Sequence, residues 1–316
     1  MPRRGEYLAY CSSANLGSGF DAVAIALNAF YDRVLIEAEK GGRRVIVEAV
    51  EGPEAEGVSR EENTAIYAGL SLLEGENLNY TVRIRLWKGI PLSAGLGGSG
   101  ATAAAVVAGI SDLLDLGLAP EKLVYYAGEG EKASAGSPHY DNVAASLLGG
   151  LAIVSRTRAG IKVLSLRVNA YFVLGIPQDR LVIPKKTESM RRLLPEFVPF
   201  SEYVAEKGLL SLLIGGLAVG NTELAGLGMD DIVVTRARSQ HVPCLREARE
   251  ESLKAGALGF AISGAGPSVI ALARDRQHAA TLVDAMKRAY ENCGREAIVK
   301  TASVAPGVSR LHDRAS

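Results

Sequence analysis

Residues 91–102 read Pro91-Leu92-Ser93-Ala94-Gly95-Leu96-Gly97-Gly98-Ser99-Gly100-Ala101-Thr102, with four Gly and three Ser or Thr. Glycine lets a main chain wrap closely around an anion, and a helix starting there turns free N–H groups toward it. A strand-like run, Tyr80–Leu86, leads in, and an alanine-rich helical run follows. The chemistry that suits this arrangement is binding of a nucleotide phosphate. No Lys follows the glycines, so this is not a Walker loop. The formal G-x-G-x-x-G match from Gly95 to Gly100 lacks the acidic residue that closes a dinucleotide site. Taken alone, the loop also suits a helix entry made of small residues for close packing.

Three other blocks gather polar side chains and small residues. They are Ser12-Ser13-Ala14-Asn15-Leu16-Gly17-Ser18-Gly19-Phe20-Asp21, His139-Tyr140-Asp141-Asn142-Val143-Ala144 and Ser263-Gly264-Ala265-Gly266-Pro267-Ser268. The loop at 91–102 resembles the phosphate loop of the GHMP kinase superfamily, Pro-x-x-x-Gly-Leu-Gly-Ser-Ser-Ala. Pro91, Gly95, Leu96, Gly97 and Ser99 match, while Gly98 replaces a Ser and Gly100 replaces the Ala. The blocks at 12–21 and 263–268 resemble the first and third motifs of that superfamily, in the same order. The resemblance implies a two-lobed α+β GHMP kinase fold with its active site in the cleft between lobes. It implies an N-terminal ATP-binding domain over 1–165 and a C-terminal domain over 166–316. ATP would lie on Pro91, Leu92, Ser93, Ala94, Gly95, Leu96, Gly97, Gly98, Ser99, Gly100 and Ala101. Mg²⁺ would take Ser99 and Glu131. Loss of the hydroxyl at position 98 removes one side-chain contact to phosphate but leaves its N–H.

Within the superfamily, His-x-Asp-Asn-Val-Ala placed eight residues after the Glu resembles the homoserine kinase branch, and Glu131 to His139 is that spacing. The resemblance implies L-homoserine as substrate, with its hydroxyl attacking the ATP γ-phosphate in line. Homoserine carries a carboxylate, an ammonium and a hydroxyl. A planar guanidinium fork suits the carboxylate, and the resemblance assigns it to Arg191 and Arg238, with Arg192 and Arg236 as close neighbours. Asp21 and Asp141 are candidates for the ammonium, and Asn15 and His139 for orienting the substrate. Asp141, Asn142 and Thr187 form the candidate catalytic set, without a clear general base. The adenine pocket is expected near Asn63.

Each of these residues has a plain structural alternative. Asn15 and Asp21 suit bonding a glycine turn. His139 suits a packed, hydrogen-bonded role, and Asp141-Asn142 suits capping a helix that runs to Leu148. The arginines suit a solvated basic face, and Glu131 an exposed helix position. A GHMP kinase for shikimate or mevalonate and a catalytically silent metabolite sensor are the competing functions. Neither shikimate nor mevalonate has an ammonium, and a sensor has no use for a Ser99–Glu131 metal pair.

The elements that must position these groups are readable in part. The chain has 316 residues, 48% of them apolar, which supplies a core for one large or two moderate domains. Lys plus Arg and Asp plus Glu are 35 each, so no basic face for nucleic acid is expected. The apolar run Leu209–Val219 is too short to span a bilayer. Cys11, Cys244 and Cys293 show no metal or redox spacing, and the odd count without a secretory-type segment suggests a reducing cytoplasm. A homodimer is an open expectation. Strands are expected over 7–11, 32–38, 44–50 and 81–86, a hairpin over 151–166, and strands over 171–176, 257–263, 268–273 and, last, 296–304. Helices are expected over 63–73, 99–114, 120–132, 187–194, 200–218, 243–255 and 277–293.

Overall fold

The computed structural model describes residues 2–136, 138–179 and 186–311. A long antiparallel hairpin opens the chain, β1 (Arg3–Asn15) and β2 (Gly19–Lys40). β3 (Arg44–Glu51), α1 (Thr64–Gly75) and β4 (Tyr80–Trp87) follow. Next come α2 (Gly98–Leu113), α3 (Pro120–Ala135), α4 (Tyr140–Leu148) and the hairpin β5 (Leu151–Thr157) and β6 (Gly160–Leu166). The second half starts with β7 (Tyr171–Pro177), α5 (Lys186–Arg191), α6 (Phe200–Val219), α7 (Thr222–Gly228) and α8 (Val234–Arg238). It ends with α9 (Leu245–Lys254), β8 (Gly259–Ile262), β9 (Val269–Ala273), α10 (Arg276–Asn292), β10 (Ala297–Ser303) and β11 (Ser309–Leu311).

Two sheets result. One has seven strands, ordered β11-β1-β2-β4-β3, with β5 on the first part of β2 and β6 on β5. The other is antiparallel and four-stranded, ordered β10-β7-β9-β8. β4 shows why alternation reads as a strand. Val82, Ile84 and Leu86 are buried, while Arg83 and Arg85 point out and pair with Glu48 and Glu51 on β3. The first half of β2 hides from that test. Val23–Leu27 is buried on both faces, so no polar alternation marks it.

α2 is buried almost all round and packs on β1, β2, α1, α3 and α4. Its small side chains allow this: a Cβ at Gly109 would meet Ile36 Cδ1 at 2.5 Å and Tyr7 Cδ2 at 2.7 Å. Asn63 caps α1 through its side-chain oxygen, which accepts from the Ala65 N–H at 3.0 Å. β10 is not the last strand, because β11 returns to pair with β1 in the first sheet. The cysteines also differ from the sequence expectation. Cys244, at the start of α9, and Cys293, at the end of α10, form a disulfide, and buried Cys11 is free. Spacing in sequence does not show that α9 and α10 lie side by side. No helix among the described residues is long and apolar enough to cross a membrane.

Gly130 on α3 lies against the α1 backbone, where a Cβ would come within 2.4 Å of Ala68 N and Cα. Gly130→Ala gains about 1 kcal/mol of helix propensity. Main-chain atoms cannot swing aside, so the overpacking cost of about 1–3 kcal/mol wins. The variant should unfold at lower temperature in a calorimetric scan; an unchanged or higher midpoint would contradict this packing.

Candidate active site

Three chain segments meet where the two sheets adjoin. Ser12 N–H donates to Leu96 O at 3.1 Å, Gly264 N–H to Ala14 O at 3.1 Å and Ser268 N–H to Ala94 O at 3.3 Å. Ser263 Oγ donates to Gly95 O at 2.9 Å and lies 2.9 Å from Ser13 Oγ. Gly95 is required here. Its φ is +78°, and a Cβ would fall 2.3 Å from Ser263 O and 2.6 Å from Gly266 O. The turn between β1 and β2 is equally tight: a Cβ on Gly17, at φ +86°, would overlap Met229 O just after α7.

The junction borders a cavity of about 360 Å³. Pro91 to Ser99 form one wall. α2 begins at Gly98, its cap Gly97 is left-handed at φ 65°, and no side chain caps the helix. Its first N–H groups therefore remain for an anion in the cavity. Ser99 Oγ donates to Glu131 Oε1 at 2.5 Å. Glu131 is only 2% exposed, which rules out the solvent-facing alternative. His139 Nδ1 lies 3.4 Å from Glu131 Oε2. Among the described residues, no group of three or more His, Cys, Asp or Glu is arranged to hold a metal ion. The hydroxyl and carboxylate of Ser99 and Glu131, side by side, do suit a Mg²⁺ that keeps waters and takes phosphate oxygens.

The other wall carries opposed charges. Arg191 makes a two-pronged ion pair with Asp21, at 2.6 and 2.9 Å, so Asp21 faces a guanidinium here. Arg238 is buried at 2% exposure and donates to two main-chain carbonyls, Gly264 O at 3.1 Å and Met190 O at 3.3 Å. Burial and the neighbouring Arg191 charge lower its pKa. Both guanidiniums lie against the Phe20 ring, at 5.4 and 5.3 Å from its centre. Arg192 and Arg236 instead pair outward with Glu188 and Glu202.

Asp141 is buried, and its pKa is pushed up to about 6, first by that burial and then by the charge of Asp21. Burial works against a charged His139. The pull of Glu131, by charge and hydrogen bond, and of Asp141 outweighs this and raises its pKa. Asn142 Oδ1 accepts from Ser12 Oγ at 2.9 Å, which leaves its amide N–H groups as donors. Asn15 holds the junction as well as lining the cavity: its Nδ2 donates to Gly264 O and its Oδ1 accepts from Asp21 N–H. The residue in the cap position of α4 is His139, whose side chain makes no capping hydrogen bond; Asp141 Oδ1 accepts from the next N–H, at 2.8 Å.

The chain matches the model for the GHMP kinases N terminal domain over residues 63–150 and the model for GHMP kinases C terminal over 213–292. It is 43% identical to a homoserine kinase of Aeropyrum pernix over 309 residues, which are 97% of this chain and 98% of that one. The chain belongs to the homoserine kinase family of GHMP kinases. A homoserine kinase of Thermoplasma volcanium is 38% identical, over 95% and 94% of the two chains. The crystal structure of homoserine kinase from Cytophaga hutchinsonii superposes with a TM-score of 0.88 at 31% identity, covering 98% of each chain. L. major mevalonate kinase shares the fold, with a TM-score of 0.69 at 19% identity over 96% of each chain. Family membership makes this chain an ATP-dependent small-molecule kinase.

The structure gathers nearly all the residues that the motifs singled out. Asn15, Asp21, Pro91 to Ser99, Glu131, His139, Asp141, Asn142, Thr187, Arg191 and Arg238 all line one cavity. Gly100 and Ala101 do not line it; Gly100 packs on Asn142, and Ala101 is fully buried in α2. Sequence reasoning did not single out Ala14, Phe20 or Gly264 to Gly266 as cavity residues, while Thr64 lies in the Asn63 region expected near the nucleotide. Phe20 sat inside a recognised motif, but nothing in its type signalled a platform for two arginines.

A carboxyl raised in the folded state binds protons that the unfolded chain has released. Stability from Asp141 is therefore full below its ordinary value of 3.8 and lost as pH rises toward and past about 6. At 1.36 kcal/mol per pKa unit, the loss is about 3 kcal/mol above that window. The raised His139 also loses its contribution as pH rises. Asp141→Asn should flatten the profile, so that thermal unfolding at pH 8 gains on the wild type while at pH 4 it does not. Parallel profiles for the two proteins would exclude a buried, proton-binding Asp141.

Proposed function

We propose that this chain transfers the γ-phosphoryl group of ATP to the hydroxyl of L-homoserine, giving O-phospho-L-homoserine. The observation that carries this reading is the charge layout of one cavity. A buried guanidinium, Arg238, that donates to two main-chain carbonyls and lies on the Phe20 ring shares the cavity with a buried carboxyl, Asp141. A zwitterion with a carboxylate at one end of a short chain and an ammonium beside it satisfies both. A mono-anion such as mevalonate or shikimate brings no cation to Asp141. The domain over 1–165 would bind ATP, and the domain over 166–316 would complete the amino acid site through Thr187, Arg191 and Arg238. The protein would work in the cytoplasm.

The Asp21–Arg191 pair is the counterpart of the substrate within the protein. We propose that homoserine separates it, its carboxylate taking Arg191 and Arg238 and its ammonium taking Asp21 and Asp141. Asn15 and His139 would fix the backbone of the amino acid, with Asn142 and Thr187 directing the hydroxyl. The hydroxyl oxygen would bond the γ-phosphorus in line as the γ-phosphorus–oxygen bond to ADP breaks and ADP leaves, and the hydroxyl proton would pass to an oxygen of the transferred phosphoryl group. Phosphoryl transfer is loose, so little charge develops on the attacking oxygen and no strong base is required. The work is positioning and charge neutralisation. The cavity-lining stretch Gly95 to Ser99 would supply main-chain N–H groups to the phosphates, and the start of α2 adds its positive end. Ser99 and Glu131 would hold Mg²⁺, which neutralises phosphate charge when bound.

A coupled assay of ADP release with homoserine, shikimate, mevalonate and galactose as separate acceptors tests the substrate. Homoserine should be the one that turns over; turnover of another with none of homoserine would sink the reading. Asp141→Asn should raise the KM for homoserine about tenfold or more, the scale of a lost charge-assisted hydrogen bond, with a smaller fall in kcat. A variant with unchanged KM and reduced kcat would assign Asp141 to the transfer step instead.

Asp21→Asn should exchange preference between charge types. It frees Arg191 from its internal partner, so 4-hydroxybutyrate, which lacks the ammonium, should inhibit the variant more tightly than the wild type. Homoserine should bind it more weakly. Equal weakening of both ligands would contradict the ion-pair exchange.

A further inference from the structure

Behind the phosphate-loop wall, away from the cavity, lies a second pair of charges that no motif points to. Lys88 and Asp32 are side chains 5% and 1% exposed, in direct contact. Lys88 follows β4 and Asp32 lies on β2. Burying two charges is costly unless every donor and acceptor is used, and here the partners are numerous. Asp32 Oδ1 accepts from Gly89 N–H at 3.0 Å and Ile90 N–H at 3.1 Å, the residues that lead into Pro91. Lys88 Nζ donates to Thr102 Oγ1 at 2.8 Å and to Gly98 O at 3.3 Å, both in the first two turns of α2. Thr102 Oγ1 also lies 3.1 Å from Asp32 Oδ2 and 3.1 Å from Gly98 O.

Asp32 thus grips the entry to the loop, and Lys88 grips its exit. The Thr102 hydroxyl joins the two. The loop between them, Pro91 to Gly97, is held on its far side by Ser12, Ser263 and Ser268, so this network acts on its two ends. A hydrophobic floor would bury as much area without fixing the register of Gly98 to that of Ile90.

We propose that Asp32, Lys88 and Thr102 are positioning residues for ATP: they set the spacing between the loop entry and the start of α2, and so the aim of the N–H groups that take the phosphates. This rests on the proposal that residues 91–101 hold those phosphates. A merely structural network would lower stability and leave ligand constants alone. A positioning network changes nucleotide affinity and spares the amino acid site.

Thr102→Val keeps the volume and removes the joining hydroxyl; Thr102→Ser keeps the hydroxyl and removes a methyl. In the full chain, titration calorimetry with ADP and steady-state kinetics are the readouts. Thr102→Val should weaken ADP and raise the KM for ATP about fivefold, the scale of one or two net hydrogen bonds. Its KM for homoserine should be unchanged, and Thr102→Ser should restore the nucleotide constants. A folded Thr102→Val with wild-type nucleotide constants, or a Thr102→Ser as weak as Val, overturns the proposal. Gly98→Asp separates the two layers of the argument. A Cβ there meets nothing closer than Ile90 Cγ2 at 3.3 Å, so the variant should fold while its carboxylate repels phosphate. If Gly98→Asp keeps its ADP affinity, the loop assignment fails; if it loses that affinity while Thr102→Val keeps it, only the positioning role fails.

Discussion

The close approach of Gly95 to the Ser263–Gly266 turn is the constraint on which the rest depends. No other residue type brings a main chain within 2.3 Å of where its own Cβ would lie. That approach fixes the phosphate-loop wall against β8 and β9 of the second sheet. The same turn offers Gly264 O to Arg238 and to Asn15. One turn therefore sets the distance between the wall suited to phosphate and the wall that carries the opposed charges. Phosphoryl transfer requires such a fixed distance, since alignment of the hydroxyl with the phosphorus supplies much of the rate.

Charge compensation explains why a cavity with so many ionisable groups is stable without ligand. Arg191 neutralises Asp21, and His139 offsets Glu131. Asp141 stays protonated near neutrality more readily than an exposed carboxyl, because burial and Asp21 both resist its charge. Arg238 meets carbonyl dipoles and the Phe20 ring. The cavity thus holds a set of internally compensated charges, which on the proposed reading a zwitterion would re-partner.

Much of this was legible in the sequence, for reasons that are physical. Loops that must adopt left-handed backbone or approach another chain segment need glycine at fixed places, so the three motifs survive as readable strings. Alternation on β4 and capping by Asn63 are local, and local signals can be read without a fold. What could not be read depends on burial from both sides or on distant pairing. The first part of β2 is apolar on both faces and shows no period. The return of β11 to β1, the Cys244–Cys293 bridge and the Asp32–Lys88 pair join positions with no sequence relation. Phe20 was visible as a letter, but its place under two guanidiniums needed the helices α5 and α8 in position.

The most direct measurement is of the product itself. The protein should be incubated with ATP, Mg²⁺ and L-homoserine, and the mixture followed by ³¹P NMR with mass spectrometry of the amino acid. The charge layout requires a phosphomonoester on the homoserine side-chain oxygen, formed in step with ADP. ADP formed without a phosphorylated homoserine, or no reaction with homoserine while another alcohol is phosphorylated, would contradict it.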